Sequence, residues 1–159
     1  MPTTFVKGDL FEDANDAPPP RAFAFAANTS GAMETGIAVA FKKRWPALAD
    51  AYRARAEGGK MQLGDVFAWR DGDVIVYALV IQHGDKKPKV STLVRAVDAM
   101  LARAAADGVG RIALPRVGAG KAGIDAVRVK RVLTEAGEKS PVNLVVFEQF
   151  VRSAPREGA

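Results

Sequence analysis

The stretch Ile112-Ala113-Leu114-Pro115-Arg116-Val117-Gly118-Ala119-Gly120-Lys121-Ala122-Gly123-Ile124-Asp125 constrains this chain more than any other. A short apolar run ends at Pro115. A small-residue loop follows with Gly118, Gly120 and Gly123, and residues 125–133 then read as an amphipathic helix. Strand, glycine-rich loop and helix in that order point to an α/β fold. Glycine allows a turn with positive φ and leaves no side chain in a ligand's way. The first turn of a helix has unpaired N–H donors at its positive dipole end, so such a loop can hold a phosphate or a diphosphate. The same spacing equally suits an ordinary tight turn. The Gly-Lys-Ser/Thr ending of a P-loop is missing, because Ala122 follows Lys121, and the loop sits too late for a dinucleotide fingerprint.

A chain of 159 residues is long enough for one domain with a full core, expected over residues 1–150 with a disordered tail at 151–159. The absence of cysteine excludes a disulfide framework, a thiolate metal site and a cysteine nucleophile. A single histidine, His83, argues against a protein-only zinc site. No stretch approaches the ~20 apolar residues of a membrane span. The start Met1-Pro2-Thr3-Thr4 has no charged-then-apolar signal pattern, so a cytoplasmic protein is expected. A monomer with no membrane partner is expected as well. The formal charge of +5 suits an anionic ligand, with nucleic acid a secondary partner.

Taken in order, residues 3–7 suggest a first strand and Gly8-Asp9-Leu10-Phe11 a turn. Asp9 there can cap local backbone, or accept a hydrogen bond from an exocyclic amine such as that of adenine. Residues 13–21, with Pro18-Pro19-Pro20, form a stiff loop. Residues 22–27 are a buried strand ending in the polar run Asn28-Thr29-Ser30-Gly31, where an α/β protein places its site. Asn28 can close a turn or bond a sugar hydroxyl. A helix opens at Gly36, breaks at Pro46 and continues over residues 47–56. Residues 66–70 and 74–81 form a hairpin across Asp71-Gly72-Asp73, and the second strand is apolar throughout, as a central strand is. It runs into Gln82-His83-Gly84, where His83 is either a proton carrier or a packing residue. Residues 90–106 form a helix, residues 142–147 the last strand, and residues 148–159 a frayed tail. The expected fold is a three-layer α/β/α sandwich with a mixed central sheet. Right-handed crossovers bring the strand ends after Ala27, Ile81 and Leu114 to one edge.

Over residues 4–147 the chain resembles a macro domain, the ADP-ribose-binding α/β fold. The resemblance rests on Val6-Lys7-Gly8-Asp9-Leu10-Phe11, Ala27-Asn28, Gly36-Ile37-Ala38-Val39-Ala40-Phe41-Lys42-Lys43 and Leu114-Pro115-Arg116-Val117-Gly118-Ala119-Gly120. Their order and spacing are similar to the branch that includes the terminal ADP-ribose protein glycohydrolase and its bacterial relatives. The resemblance implies that Asp9 bonds the adenine amine, with Leu10 beside it and Phe147 against the ring. It implies that Gly36 and Ile37 offer N–H groups to phosphate and ribose. The loop Pro115, Arg116, Val117, Gly118, Ala119, Gly120, Lys121 and Ala122 would wrap the diphosphate, and Asn28 and Thr35 would line the distal ribose.

Two positions depart from that branch. The place of its lysine falls on His83 and that of its aspartate on Ala122. Asp125, three residues on, reads as a helix N-cap. Gln82-His83-Gly84, however, resembles bacterial members of the branch that remove ADP-ribose from acidic side chains and lack the lysine. The implied activity is removal of mono-ADP-ribose from glutamate or aspartate of proteins by a positioned water, with Gln82 and His83 flanking the scissile bond and no cofactor or metal. The alternatives are a non-catalytic reader of ADP-ribose, or a hydrolase acting on ADP-ribosylated nucleic acid.

Overall fold

The computed structural model describes residues 3–12, 19–33, 36–119 and 123–150. Strands β1 (Thr3–Gly8), β2 (Arg21–Asn28), β3 (Val66–Asp71), β4 (Val74–Gln82), β5 (Arg111–Pro115) and β6 (Asn143–Phe150) form one sheet in the order β1-β6-β5-β2-β4-β3. Only β3 is antiparallel to its neighbour, through the Asp71–Val74 hairpin. The helices are α1 (Ile37–Arg44), α2 (Pro46–Glu57), α3 (Val90–Ala106) and α4 (Ala126–Glu138), and a short 3-10 turn covers Leu10–Glu12. Among the described residues, no helix is long and apolar enough to cross a membrane.

The period of two along each strand sorts the core into two layers. On β4, Ile75, Tyr77, Leu79 and Ile81 face α3 and α4, and Val76, Ala78 and Val80 face α1 and α2. On β2 the split is asymmetric. Ala22 and Ala24 lie under α3, while Phe23 and Phe25 join Phe11, Phe41, Trp45 and Tyr52 on the opposite face. Small residues of β2 thus share one layer with the large side chains of β4, and the aromatic side chains of β2 fill the other. Phe41 meets Phe25 with ring centroids 4.9 Å apart and Phe11 at 5.0 Å. Each such fully buried ring or aliphatic chain is worth about 1.5–3 kcal/mol over its exposed state.

The expected tail begins too early. Glu148 and the two residues after it continue β6, because β1 offers a parallel partner: Lys7 pairs with Gln149 and Gly8 with Phe150 after a register shift at Val6/Lys7. That pairing is made by backbone groups, so the polar side chains at 148 and 149 carry no sign of it.

Because β1, β6, β5, β2 and β4 are mutually parallel, their C-terminal ends share one edge of the sheet. Asp9, Asn28, Gln82 and Arg116 therefore leave the sheet on the same side, the crevice edge where open α/β sheets place ligands.

Candidate active site

The crevice is built around the end of β2. The β2–β4 register runs evenly to Ala27↔Val80 and then skips a residue to Asn28↔Gln82. A bulge of this kind turns a side chain away from its regular direction. The Asn28 carboxamide then makes three bonds. Its Oδ1 accepts from Ser30 N–H at 3.0 Å and from Gly84 N–H at 3.2 Å, and its Nδ2 donates to the Gly84 carbonyl at 3.0 Å. Asn28 therefore closes its own turn and also staples the loop after β2 to the loop after β4. Among the described residues, the second Nδ2 hydrogen has no partner and can serve a ligand.

The same two loops meet at their next residues. Thr29 N–H donates to the Gln82 carbonyl at 3.0 Å, and Thr29 Oγ1 lies 2.6 Å from His83 Nδ1. Thr29 thus fixes the direction of an exposed imidazole whose Nε2 has no partner among the described residues. Gln82 behaves differently: its Nε2 donates to the Lys86 carbonyl at 3.1 Å, which closes the 82–86 turn.

The second wall is the start of α1. Gly36 is its N-cap, with φ 60° and ψ −144°, and no side chain caps the helix. An L-residue with a Cβ rarely adopts that backbone, so glycine is required by conformation even though a Cβ there would meet open space. Val39 N–H donates to the Gly36 carbonyl at 3.3 Å, which leaves the Ile37 and Ala38 N–H groups open to an anion among the described residues, and no acidic residue occupies the first turn to repel one.

The third wall is the loop after β5. Pro115 has no N–H to extend the ladder. Val117 N–H turns back to the Pro115 carbonyl at 2.8 Å, and Ile124 N–H closes onto the Gly118 carbonyl at 2.6 Å. Gly118 has φ 84°, and a Cβ on it would lie 3.2 Å from Ile81 Cδ1 and 3.4 Å from Ile124 Cδ1. Both conformation and space therefore demand glycine here. Asp125 is the N-cap of α4, accepting from Val127 N–H at 2.7 Å, so its carboxylate is committed to the helix.

At the fourth side, Asp9 Oδ1 accepts from Phe11 N–H at 3.0 Å, and Asp9 faces a cleft of about 410 Å³ together with Phe11, Gly36, Val39, Ala40 and Lys43. Asp9 thus caps local backbone and lines the crevice at the same time. Leu10 and Val117 are buried, side chain and main chain alike. Phe147 is also buried, packed beside Gly8, whose added Cβ would lie 3.7 Å from Phe147 Cε2.

The structure thus brings Asp9, Asn28, Gly36, Ile37, Gln82, His83, Pro115, Arg116, Gly118 and Ala119 to one sheet edge. Thr35, Gly120, Lys121 and Ala122 lie outside the described residues. Sequence reasoning gave no role to Thr29, Phe11 or Tyr52. The Tyr52 hydroxyl contacts Asn28 across 24 positions and Thr29 contacts His83 across 54, and no local pattern announces either pair.

A family model described as Macro domain matches residues 24–133. Human ADP-ribose glycohydrolase OARD1 is 26% identical over 144 residues, covering 91% of this chain and 90% of that protein. A DNA ADP-ribosyl glycohydrolase of Thermus aquaticus is 30% identical over 139 residues, and the match covers 84% of this chain but 37% of that protein. Among solved structures, the macrodomain of Thermus aquaticus DarG superposes with a TM-score of 0.80 at 28% identity, covering 92% of this chain and 97% of that one.

Proposed function

The chain belongs to the macro domain family, and from that premise we propose that it binds ADP-ribose in this crevice and hydrolyses the bond joining the distal ribose to a glutamate or aspartate side chain. The observation that carries the reading is the convergence, at one sheet edge, of two glycine-turned loops and an oriented histidine. Gly36 opens a helix that no described side chain caps, Gly118 turns the loop after β5, and Thr29 holds His83 after β4. The names of the relatives support hydrolysis over passive reading.

In this reading the α1 N–H groups and the loop at Gly118 clamp the diphosphate, where charge-assisted hydrogen bonds are strongest. Asp9 accepts from the adenine amine. The free Nδ2 hydrogen of Asn28 bonds a distal ribose hydroxyl. A water oxygen forms a bond to the anomeric carbon as the bond to the carboxylate oxygen breaks, and the carboxylate leaves with the electron pair. The water's proton passes to solvent or to His83. With His83 and Ala122 at the places of the branch's lysine and aspartate, no protein nucleophile is required. Orientation and preorganised donors must supply the rate, and such effects reach about 7–11 kcal/mol in the best intramolecular cases.

The second reading, the same pocket acting on ADP-ribosylated nucleic acid, is favoured by the name of the Thermus aquaticus relative and by the net charge of +5. One experiment separates the two. Release of ADP-ribose is measured from a glutamate-modified protein, a serine-modified protein and a modified DNA oligonucleotide, with enzyme-free controls for spontaneous ester loss. Release from the glutamate substrate alone supports the ester reading, and release from DNA alone replaces it with the second. Binding of ADP-ribose with no release from any substrate would leave only a reader. A contribution of the phosphate backbone would appear as affinity for unmodified DNA that falls steeply with salt.

A further inference from the structure

Tyr52 lies on α2 in the aromatic layer and is fully buried. Its ring meets Phe25 edge-on, with centroids 6.0 Å apart. A phenylalanine would fill the same space, so packing does not account for the hydroxyl, and a buried hydroxyl costs free energy unless it is paired. Here it is paired twice, both times with Asn28. The Asn28 N–H donates to the Tyr52 oxygen at 2.6 Å, and the Tyr52 O–H donates to the Asn28 carbonyl at 2.5 Å. Burial raises the Tyr52 pKa, against a lesser opposing effect of the Asn28 backbone bond, so the hydroxyl keeps its proton for donation.

Both groups belong to one strand residue and face the side on which β5 pairs with β2 only at Ala22 and Phe23. The hydroxyl therefore takes part of the place of a neighbouring strand, beside Gly31, whose N–H also donates to the Asn28 carbonyl at 3.1 Å. It does so at the bulge from which the Asn28 side chain reaches Gly84 and Thr29 reaches His83.

We infer that the Tyr52 hydroxyl is a positioning group of the site: it fixes the Asn28 main chain and, through Asn28 and Thr29, the directions of His83 and Gly84. Its kinetic consequence rests on the hydrolase reading above, whereas its geometric consequence does not. Tyr52 touches no substrate. It stands in for a ladder partner, so the end of β2 keeps its bulge.

The test uses the fact that His83 is the one histidine of the chain, so its imidazole nitrogen signals identify themselves by NMR. In folded Tyr52→Phe, the Nδ1 and Nε2 shifts are expected to move toward those of a free imidazole. The kcat for ADP-ribose release is expected to fall about tenfold with KM within about twofold, as for a misplaced catalytic group. Thr29→Val removes the last link and is expected to give the same His83 shift. Phe25→Leu loosens the packing around Tyr52 without touching its hydroxyl, so it lowers the melting temperature and leaves the His83 signals and kcat as they were. If Tyr52→Phe melts earlier but keeps wild-type His83 signals, the inference is overturned; unchanged kcat in an active protein overturns it too. Should Tyr52→Phe fail to fold, hydrogen exchange on the wild type decides. An Asn28 amide as protected as those of β4 supports the bond to Tyr52, and rapid exchange refutes it. If the wild type releases no ADP-ribose, the hydrolase reading fails and the His83 signals still decide the positioning role.

Discussion

The Asn28 side chain and the Gly84 main chain hold each other by two opposed hydrogen bonds, with Nδ2 donating to the Gly84 carbonyl at 3.0 Å and Gly84 N–H donating to Oδ1 at 3.2 Å. A carboxamide serves both directions, whereas a carboxylate only accepts. Asn28→Asp keeps an acceptor for Gly84 N–H but turns a carboxylate toward the Gly84 carbonyl. It is expected to reduce ADP-ribose release about a hundredfold, because a small misplacement of a reacting geometry costs about that much. Steady-state release from a glutamate-modified protein checks it, beside circular dichroism to show that the variant is folded. Near-wild-type turnover would show that the staple is not needed.

At Gly118, conformation and crowding act together. Alanine there would have to adopt φ 84° with its Cβ 3.2 Å from Ile81 Cδ1. Gly118→Ala is expected to lose about 1–3 kcal/mol of stability through the strained backbone. Gly118→Glu adds a negative charge to a loop assigned to a diphosphate and is expected to abolish ADP-ribose binding by calorimetry. Unchanged affinity in a folded Gly118→Glu protein would remove this loop from the site.

His83 is exposed and, among the described residues, held through Nδ1 alone, so its removal should leave the ligand clamp intact. His83→Ala is expected to keep ADP-ribose affinity within about threefold and to lower turnover about a hundredfold, the low end for general acid–base catalysis. Calorimetry and single-turnover release read the two separately. Turnover that survives the substitution means His83 is not the acid–base group.

Alkaline pH should unfold the protein through its buried tyrosines. The Tyr77 hydroxyl donates to Asp107 Oδ2 at 2.7 Å, and burial, then that hydrogen bond and the Asp107 charge, raise its pKa above the ordinary 10.0; burial raises Tyr52 as well. A pKa raised by folding means that the native state binds more protons than the unfolded chain above pH 10. The stabilisation is therefore whole below that pH and drains away as pH rises further. Each tyrosine contributes a downward slope of at most about 1.4 kcal/mol per pH unit, the limit for one proton. Urea melts at a series of pH values above 10 check it, and Tyr77→Phe should flatten the decline.

Much of this was legible in the chain. The apolar run of β4, the Asp71-Gly72-Asp73 hairpin, the helix after Asp125 and the glycines at 36 and 118 are local signals, and each element appears where its pattern put it. The layout of the site edge followed from those elements by the handedness of their connections. The end of β6 was not legible, because a strand whose pairing is made by backbone carries no pattern in polar side chains. Asn28 shows the same limit. Its residue type allowed a turn or a sugar contact, and nothing local revealed that its carboxamide would staple Gly84, 56 positions away.

The sequence by itself determined which segments become strands and helices, which faces they bury, and where glycine alone can pass. Those outcomes depend on periodicity, branching and backbone freedom, which act within a few residues. Only the tertiary structure decided that the Tyr52 hydroxyl completes the end of β2, that Thr29 aims His83, and that Ile81 and Ile124 press against Gly118. Those depend on distances between segments far apart in the chain. They exist only once the sheet has brought its strand ends to one edge, and the directional groups of the crevice acquire their partners there.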